Sequence, residues 1–373
     1  MSSIRKVLVV GGGPSGMSLA ICLRREGIEV DLIERDPQWQ PIGAGLSLNG
    51  ASLKAFQRVG VLDRLRAEGH LHSGLDLLDV SGRLLHRVSP PPDPDGIPVG
   101  GGILRTVLHR ILAEAMQAQG TRVRLSVRLS SLEDRGAQVV VRSTDGEEHS
   151  YDLVVGADGL HSQVRDLVFP DVPRPRFTGQ GCWRAVFERP PDLDRVQMFM
   201  DSHHKAGLNP VSRDEMYMFL LEHVPDNRRM PEDQWIPLLA ERLTPFGGIW
   251  PVLRAALSPR SRISYRPLET LLLPAPWFRG RVVLIGDAAH ATTPHAAYGC
   301  GLAVEDAVVL AEEVVRESSL ESALRRFMQR RFERCRAIVE GSARLGELEM
   351  AHAPLGEHQA ATAALTRAIA QPI

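Results

Sequence analysis

Residues 6–16 read Lys6-Val7-Leu8-Val9-Val10-Gly11-Gly12-Gly13-Pro14-Ser15-Gly16, and this stretch decides the fold. An apolar, β-branched run enters a glycine cluster, which predicts a fully buried strand ending in a tight turn. The periodic stretch 15–26, stopped by Gly27, predicts a helix. Residues 29–33 predict a second strand, with Glu34 at its end. Strand, turn, helix and strand within about thirty residues make a βαβ unit. In such a unit Gly11 permits the turn, Gly13 lets backbone approach a pyrophosphate, and Gly16 lets the helix pack on the strand. The helix N-terminus at Ser15 and Gly16 presents unpaired N–H groups to phosphate. Glu34 lies 21 residues after Gly13, the spacing of an acid that binds ribose hydroxyls. Its charge suits ribose and repels a 2′-phosphate. These residues specify a dinucleotide without choosing between FAD and NAD.

Outward from this unit, 75–80 and 83–88 predict a hairpin joined at Ser81-Gly82. The proline- and glycine-rich stretch 90–102 predicts a loop, and 106–119 a helix closed by Gly120. Strands are expected at 122–125, 138–142 and 153–155. Three more at 181–188, 196–200 and 216–222 suit an antiparallel sheet. Helices are expected at 231–243, 302–316 and 320–345, and a parallel-type strand at 281–285. The expected fold is α/β: a Rossmann-like FAD-binding domain with an inserted, mostly antiparallel substrate sheet and C-terminal helices. The expected division gives 1–72, 97–174 and 266–345 to the FAD-binding domain and 73–96 and 175–265 to the substrate-binding domain. Residues 346–373 are left as a helical tail.

The chain has 373 residues, 43% of them hydrophobic and 24% charged, with a formal net charge of −1. That balance gives no electrostatic footprint for nucleic acid, and 5% aromatics make a poor base-stacking platform. Four scattered cysteines (Cys22, Cys182, Cys300 and Cys335) show no metal-type spacing and fit a reducing compartment. No metal is expected. No stretch reaches the ~20 apolar residues of a membrane helix, and no signal peptide is evident. A cytoplasmic location without membrane or nucleic-acid partners is the expectation.

Two further motifs follow buried strands. Gly156-Ala157-Asp158-Gly159-Leu160-His161-Ser162-Gln163-Val164-Arg165 follows 153–155, and Gly286-Asp287-Ala288-Ala289-His290 follows 281–285. Each puts an aspartate at the C-terminal end of a strand, where ligands bind in open α/β sheets. Beyond Pro294, Tyr298-Gly299-Cys300-Gly301 leads into a helix whose N-terminus would stabilise negative charge. Together the three motifs resemble the group A flavoprotein monooxygenases, which have the para-hydroxybenzoate hydroxylase fold and include salicylate and urate hydroxylases. The resemblance covers residues 4 to about 340.

The resemblance implies that Gly11, Gly13, Ser15, Gly16 and Glu34 hold the ADP half of FAD, flanked by Arg35. Arg105 would contact FAD, Asp158 sits in the motif for FAD and the nicotinamide donor, and Gly286-Asp287 would bind the ribityl chain. Pro294, Gly299, Cys300 and Gly301 would lie against the isoalloxazine. Tyr298 departs from the family's usual glutamine, which puts the local shape of the pocket in question. The implied reaction is hydroxylation of a small aromatic or heteroaromatic ring through a flavin C4a-hydroperoxide, with O2 and a transient NADH or NADPH. The implied assembly is a monomer or homodimer. Tyr217, Lys205 and Pro294 are the expected catalytic or substrate-side residues. Lys205 falls where urate hydroxylase carries a substrate-binding arginine, and Tyr217 falls near its substrate tyrosine. His204 and Arg184 are weaker candidates. A flavin-dependent halogenase, another FAD oxidoreductase and a non-catalytic FAD-binding protein are the competing readings. The Trp-x-Trp-x-Ile string of halogenases is missing from the sequence.

Overall fold

The computed structural model describes residues 4–40, 43–91, 93–201 and 204–373. Lys6–Val10 sits inside a six-stranded sheet ordered Phe278–Arg279, Val282–Leu284, Leu153–Gly156, Lys6–Val10, Glu29–Glu34, Arg122–Leu125. All neighbours run parallel except the first pair. Parallel strands need crossover helices on the sheet faces, so the inner strands lose both faces to the core. Val7, Leu8, Val9, Val154, Val155 and Val283 are all fully buried. The chain starts at mid-sheet and moves outward to Arg122–Leu125. It then returns to the opposite side of its first strand at Leu153–Gly156. The strand order therefore reverses between these two strands, and a crevice opens beyond their C-terminal ends. The expected helix over 15–26 is Pro14–Arg25. Proline suits that first position, where the missing N–H would have had no partner.

A seven-stranded sheet forms the second layer, ordered Ser264–Thr270, Arg176–Glu188, Glu215–His223, Lys205–Pro210, Val196–Met200, Leu75–Leu78, Leu84–Val88. Its pairings are antiparallel, except where the early hairpin joins Val196–Met200 in parallel. Lys205–Pro210 and Ser264–Thr270 are strands the sequence reading lacks. Gly207, Asn209, Pro210 and Pro267 disguise them, because these types are depleted in strands. On the outer face, Trp183, Ala185 and Phe187 join a core with Leu239 and Trp250 from the helices Trp235–Arg242 and Trp250–Ala255. The expected helix over 231–243 is thus shorter, and a 3-10 turn, Glu232–Gln234, precedes it. On the inner face, Val186 and Tyr217 pack on Ala44 and Leu104 of the first layer.

The stretch 90–102 is not wholly a loop. Its end begins the strand Gly100–Leu104, which pairs with Gly45–Asn49 and His70–His72. Three consecutive glycines read as loop, yet the pairing needs them. A Cβ on Gly102 would lie 2.2 Å from the Pro210 carbonyl oxygen, and one on Gly101 would lie 2.5 Å from the Leu71 side chain. A three-stranded antiparallel sheet, Glu148–Tyr151, Val139–Ser143 and Leu129–Asp134, completes the strands. The helices Gly299–Arg316, Leu320–Met350 and Leu355–Ala370 close the chain, and the second runs unbroken across residue 346. Among the described residues no helix is long and apolar enough to cross a membrane.

Candidate active site

The crevice at the order reversal brings the first two motifs together. Gly11 has φ +109°, and a Cβ there would lie 2.4 Å from the Ala157 carbonyl oxygen. A Cβ on Gly16 would lie 2.1 Å from the Gly11 oxygen, so the helix can approach the turn only without one. A Cβ on Gly13 would meet nothing within 4 Å. That side of the turn is open, at a helix N-terminus with room for a pyrophosphate. Glu34 accepts the N–H groups of Gly12 at 2.8 Å and Asp36 at 2.9 Å, which fixes its carboxylate beside the turn. The Ser15 hydroxyl points inward and donates to the Ala303 carbonyl at 3.0 Å, leaving backbone as its offer to phosphate. Arg35 is exposed. Sequence reading missed Trp39, whose indole N–H donates to the Gly12 carbonyl at 2.9 Å and whose ring meets His109 edge-on at 5.0 Å. A lone tryptophan outside any motif gives no signal of this.

Asp158 acts locally as a cap. It accepts from the Ser162 hydroxyl at 2.5 Å and the Gln163 and Val164 N–H groups at 2.7 and 3.1 Å, starting the helix Gln163–Val168. Burial pushes its carboxyl up, and these hydrogen bonds pull against that. Arg165, at the end of the same motif, is buried and donates to the carbonyls of Leu160 at 2.8 Å and Ala288 at 3.1 Å. The guanidinium therefore ties the second motif to the third. Asp287 differs from Asp158. Its side chain is exposed, yet surrounding protein desolvates it and raises its pKa, against the pull of His290 and Arg105. A carboxylate that solvent reaches but protein surrounds lies on the floor of a cleft, and it has room to accept from ribityl hydroxyls.

The loop after Asp287 is held from behind. Asp306 accepts from the Gly286 N–H at 2.8 Å, His290 Nε2 at 2.5 Å and Arg331 Nε at 2.7 Å. His290 is raised well above its ordinary value, with Asp306 as the charge that holds the proton against burial. Asp306 is correspondingly held down at about 2, although burial alone would raise it. Arg331 and Arg334 also pair with Glu305, which accepts the Tyr298 hydroxyl. Tyr298 is thus buried, with its hydroxyl tied to Glu305 and its ring beside Gly301. Pro294 opens the turn Pro294–Ala296, and Gly299 begins the following helix. Burial pushes the Cys300 thiol up to about 12, so it stays protonated at neutral pH. A Cβ on Gly301 would lie 2.2 Å from the Ser52 hydroxyl, which makes that glycine a packing requirement.

The inner face of the seven-stranded sheet roofs the cleft. Tyr217 is buried there, with its hydroxyl 2.6 Å from Ser47 Oγ, which Asn209 Nδ2 also reaches at 2.8 Å. Burial raises the Tyr217 pKa. Lys205 lies on the same face but pairs with Glu349 of the helix Leu320–Met350, and His295 Nε2 lies 3.1 Å from that carboxylate's other oxygen. Burial lowers the His295 pKa, so that contact is a hydrogen bond from a neutral ring, and Lys205 is the cationic partner. Arg105, half-buried between the layers, feels the charges of Arg184 and Asp287 and lies near Cys300 and Tyr217. The open glycine turn, the Asp287 carboxylate, which hydrogen-bonds to none of the described residues, and the Arg105 cation together fit a bound FAD, from pyrophosphate to ring.

The model of a family described as "FAD binding domain" matches residues 5–342. The 2-heptyl-3-hydroxy-4(1H)-quinolone synthase of Pseudomonas aeruginosa strain UCBPP-PA14 is 34% identical over 82% of this chain and 79% of its own. The aurachin C monooxygenase/isomerase of Stigmatella aurantiaca is 32% identical over 92% and 89%. The crystal structure of Klebsiella pneumoniae HpxO with FAD and uric acid superposes with a TM-score of 0.84. It is 25% identical and covers 100% of this chain and 94% of that one.

Proposed function

We propose, from the premise that this chain belongs to the FAD-binding-domain family of aromatic monooxygenases, that it hydroxylates a small aromatic or heteroaromatic ring. NADH or NADPH would serve as the transient reductant. The observation that carries this reading is the cleft itself: Asp287 on its floor, Gly299 and Cys300 at one side, Arg105 between the layers, and the Tyr217 face as its roof. Bound FAD supplies the redox chemistry and the activation of O2. The chain's own residues supply position and charge. Gly299 opens a helix whose N-terminus favours negative charge on a ring beside it. Arg105 adds a cation near Cys300 and Asp287. Closure under the Val186 and Tyr217 face limits water beside the ring, which strengthens both effects. Relatives whose names describe quinolone and uric acid chemistry support a ring substrate with polar substituents.

The test is ring-stimulated NAD(P)H oxidation by the yellow protein, with the product identified by mass under 18O2. Incorporation of one labelled oxygen is expected. Protein that keeps its flavin but responds to no aromatic acid, pyridine or purine would sink the reading.

A further inference from the structure

The helices Pro14–Arg25 and Gly299–Arg316 both start at the cofactor cleft, one at the glycine turn and one at Gly299, and run away from it. At 1.5 Å per residue their far ends lie roughly 18–27 Å from the cleft. There they meet the helices Gly50–Val59 and Leu320–Met350 around a second cavity of about 590 Å³. Small-molecule sites typically enclose about 300–1,000 Å³. Val308, Ala311 and Val315 recur on one face of Gly299–Arg316 and lay an apolar strip ~10 Å long along the floor. Cys22 lines the same cavity. Burial pushes its thiol up to about 11, so it is neutral and adds to the apolar surface.

Each of the four helices sends one arginine to this cavity: Arg25, Arg58, Arg316 and Arg330. Two lining acids, Glu26 and Glu312, stand against them. Glu312 is shared, accepting from Arg58 Nη2 and, at 2.9 Å, from Arg330 Nη1. The buried Glu313 takes the same Arg330 nitrogen at 2.6 Å. Arg25 donates to the Arg58 carbonyl at 3.3 Å, and Arg316 reaches Glu313 only at 4.0 Å. Most guanidinium N–H groups here thus have no acceptor among the described residues. Burial, and then the charge of Arg330, lower the Arg58 pKa, as expected of cations crowded in a partly desolvated space. A cation in the last turn of a helix answers the helix dipole, which accounts for Arg25, Arg58 and Arg316 singly. It does not account for Arg330, which lies mid-helix, or for the meeting of all four over an apolar strip.

We infer that this cavity is a second ligand site, separate from the cofactor cleft, for an amphipathic organic anion. A medium-length alkyl chain lies along the strip of Val308, Ala311 and Val315, and the arginines hold its carboxylate. Arginine forks match a carboxylate through paired N–H groups. A strip one helix face wide suits a chain. The site stands apart from the hydroxylase reading, and its test needs no turnover.

The test titrates octanoate into the FAD-loaded protein by calorimetry while flavin absorbance is followed. Octanol and acetate serve as the probes that lack the charge or the chain. Octanoate is expected to bind, and each of the other two at least about tenfold more weakly, since each forgoes contacts worth that factor. The flavin spectrum should stay unchanged, because the cavity lies at the far ends of the helices. Arg25→Gln alters an exposed side chain and should weaken octanoate about tenfold while leaving octanol unchanged. Ala311→Phe fills the floor and should abolish octanoate binding with the arginines intact. Octanoate binding no tighter than about 1 mM overturns the site. So does a flavin perturbation at the octanoate midpoint, which places the anion in the cleft. Equal affinity for octanoate and octanol, or for octanoate and acetate, overturns it too. An unaltered octanoate affinity in Arg25→Gln does the same, whether or not Ala311→Phe folds.

Discussion

At the scale of single residues, one methyl group separates a working dinucleotide turn from a blocked one. Gly11 combines φ +109° with a carbonyl oxygen 2.4 Å from where a Cβ would stand. Gly11→Ala therefore adds backbone strain to a clash with rigid backbone, and overpacking of this kind costs ~1–3 kcal/mol. The purified variant is expected to be colourless and to melt lower, read from its flavin absorbance and a thermal scan. Retention of a full complement of FAD would contradict the role given to the turn. Glu349 makes a second, pH-dependent case. Lys205 and His295 hold its carboxyl at about 2, below the ordinary value of 4.5, against the opposing pull of burial. A depressed carboxylate stabilises the fold fully above its unfolded pKa and loses that contribution as pH falls through the folded one. The loss should thus run from about pH 4.5 to about pH 2, with a ceiling on the order of 3 kcal/mol. Acid unfolding of Glu349→Gln, followed by circular dichroism, should show a flatter profile in that window. The two residues also differ in legibility. Gly11 announces itself because its motif is contiguous. Lys205 is a substrate candidate by resemblance alone, and its ion pair with Glu349, 144 residues away, leaves no signal in sequence spacing.

At the scale of elements, the cofactor loop depends on charges that sit behind it. Asp306 on the helix Gly299–Arg316 is fully buried and joins the Gly286 N–H, His290 and Arg331 of the helix Leu320–Met350. Asp306→Asn strands the His290 cation in the interior and leaves Arg331 with Glu305 alone, and breaking a buried pair from one side costs ~3–5 kcal/mol. A large fall in Tm is expected, together with weaker FAD binding, because the one oxygen that asparagine keeps must serve the Gly286 N–H, His290 and Arg331, which two oxygens share in Asp306. Calorimetry and flavin titration check both, and an unchanged FAD affinity would show that the turn holds its shape alone. His290 works in the alkaline direction. Its raised pKa means a contribution present at neutral pH and lost only as pH rises through the folded value. The βαβ unit and the two aspartate-bearing turns were legible in sequence, because each joins a buried apolar run to a local turn signal. The strands Gly100–Leu104, Lys205–Pro210 and Ser264–Thr270 were not. Their glycines and prolines answer to neighbours in the folded layers, such as Pro210 over Gly102, and a local reading takes them for loop.

At the scale of the whole molecule, the site lies between two layers that different stretches of chain must bring together, and the C-terminal helices brace that meeting. Leu320–Met350 touches the cofactor loop through Ser342, 2.7 Å from Thr293 Oγ1, and the roof through Glu349. The last helix, Leu355–Ala370, packs on it from outside. Its Leu365 is buried beside Gly341, and Arg334 donates to the carbonyls of Ala368, Ile369 and Gln371 at 2.9, 3.0 and 2.8 Å. Removing residues 351–373 leaves Ser342, Glu349 and the Asp306 cluster in place but takes three acceptors from Arg334. At ~0.5–1.5 kcal/mol for each net hydrogen bond, the three lost bonds contribute about 1.5–4.5 kcal/mol. Arg334 keeps Glu305, so its charge is not abandoned. The shortened protein is therefore expected to melt at a lower temperature while binding FAD with unchanged affinity. A shortened chain that folds but no longer holds FAD would show that the brace extends through Arg334 and Glu305 to Tyr298 and the start of the helix at Gly299, making the last helix part of the cofactor site.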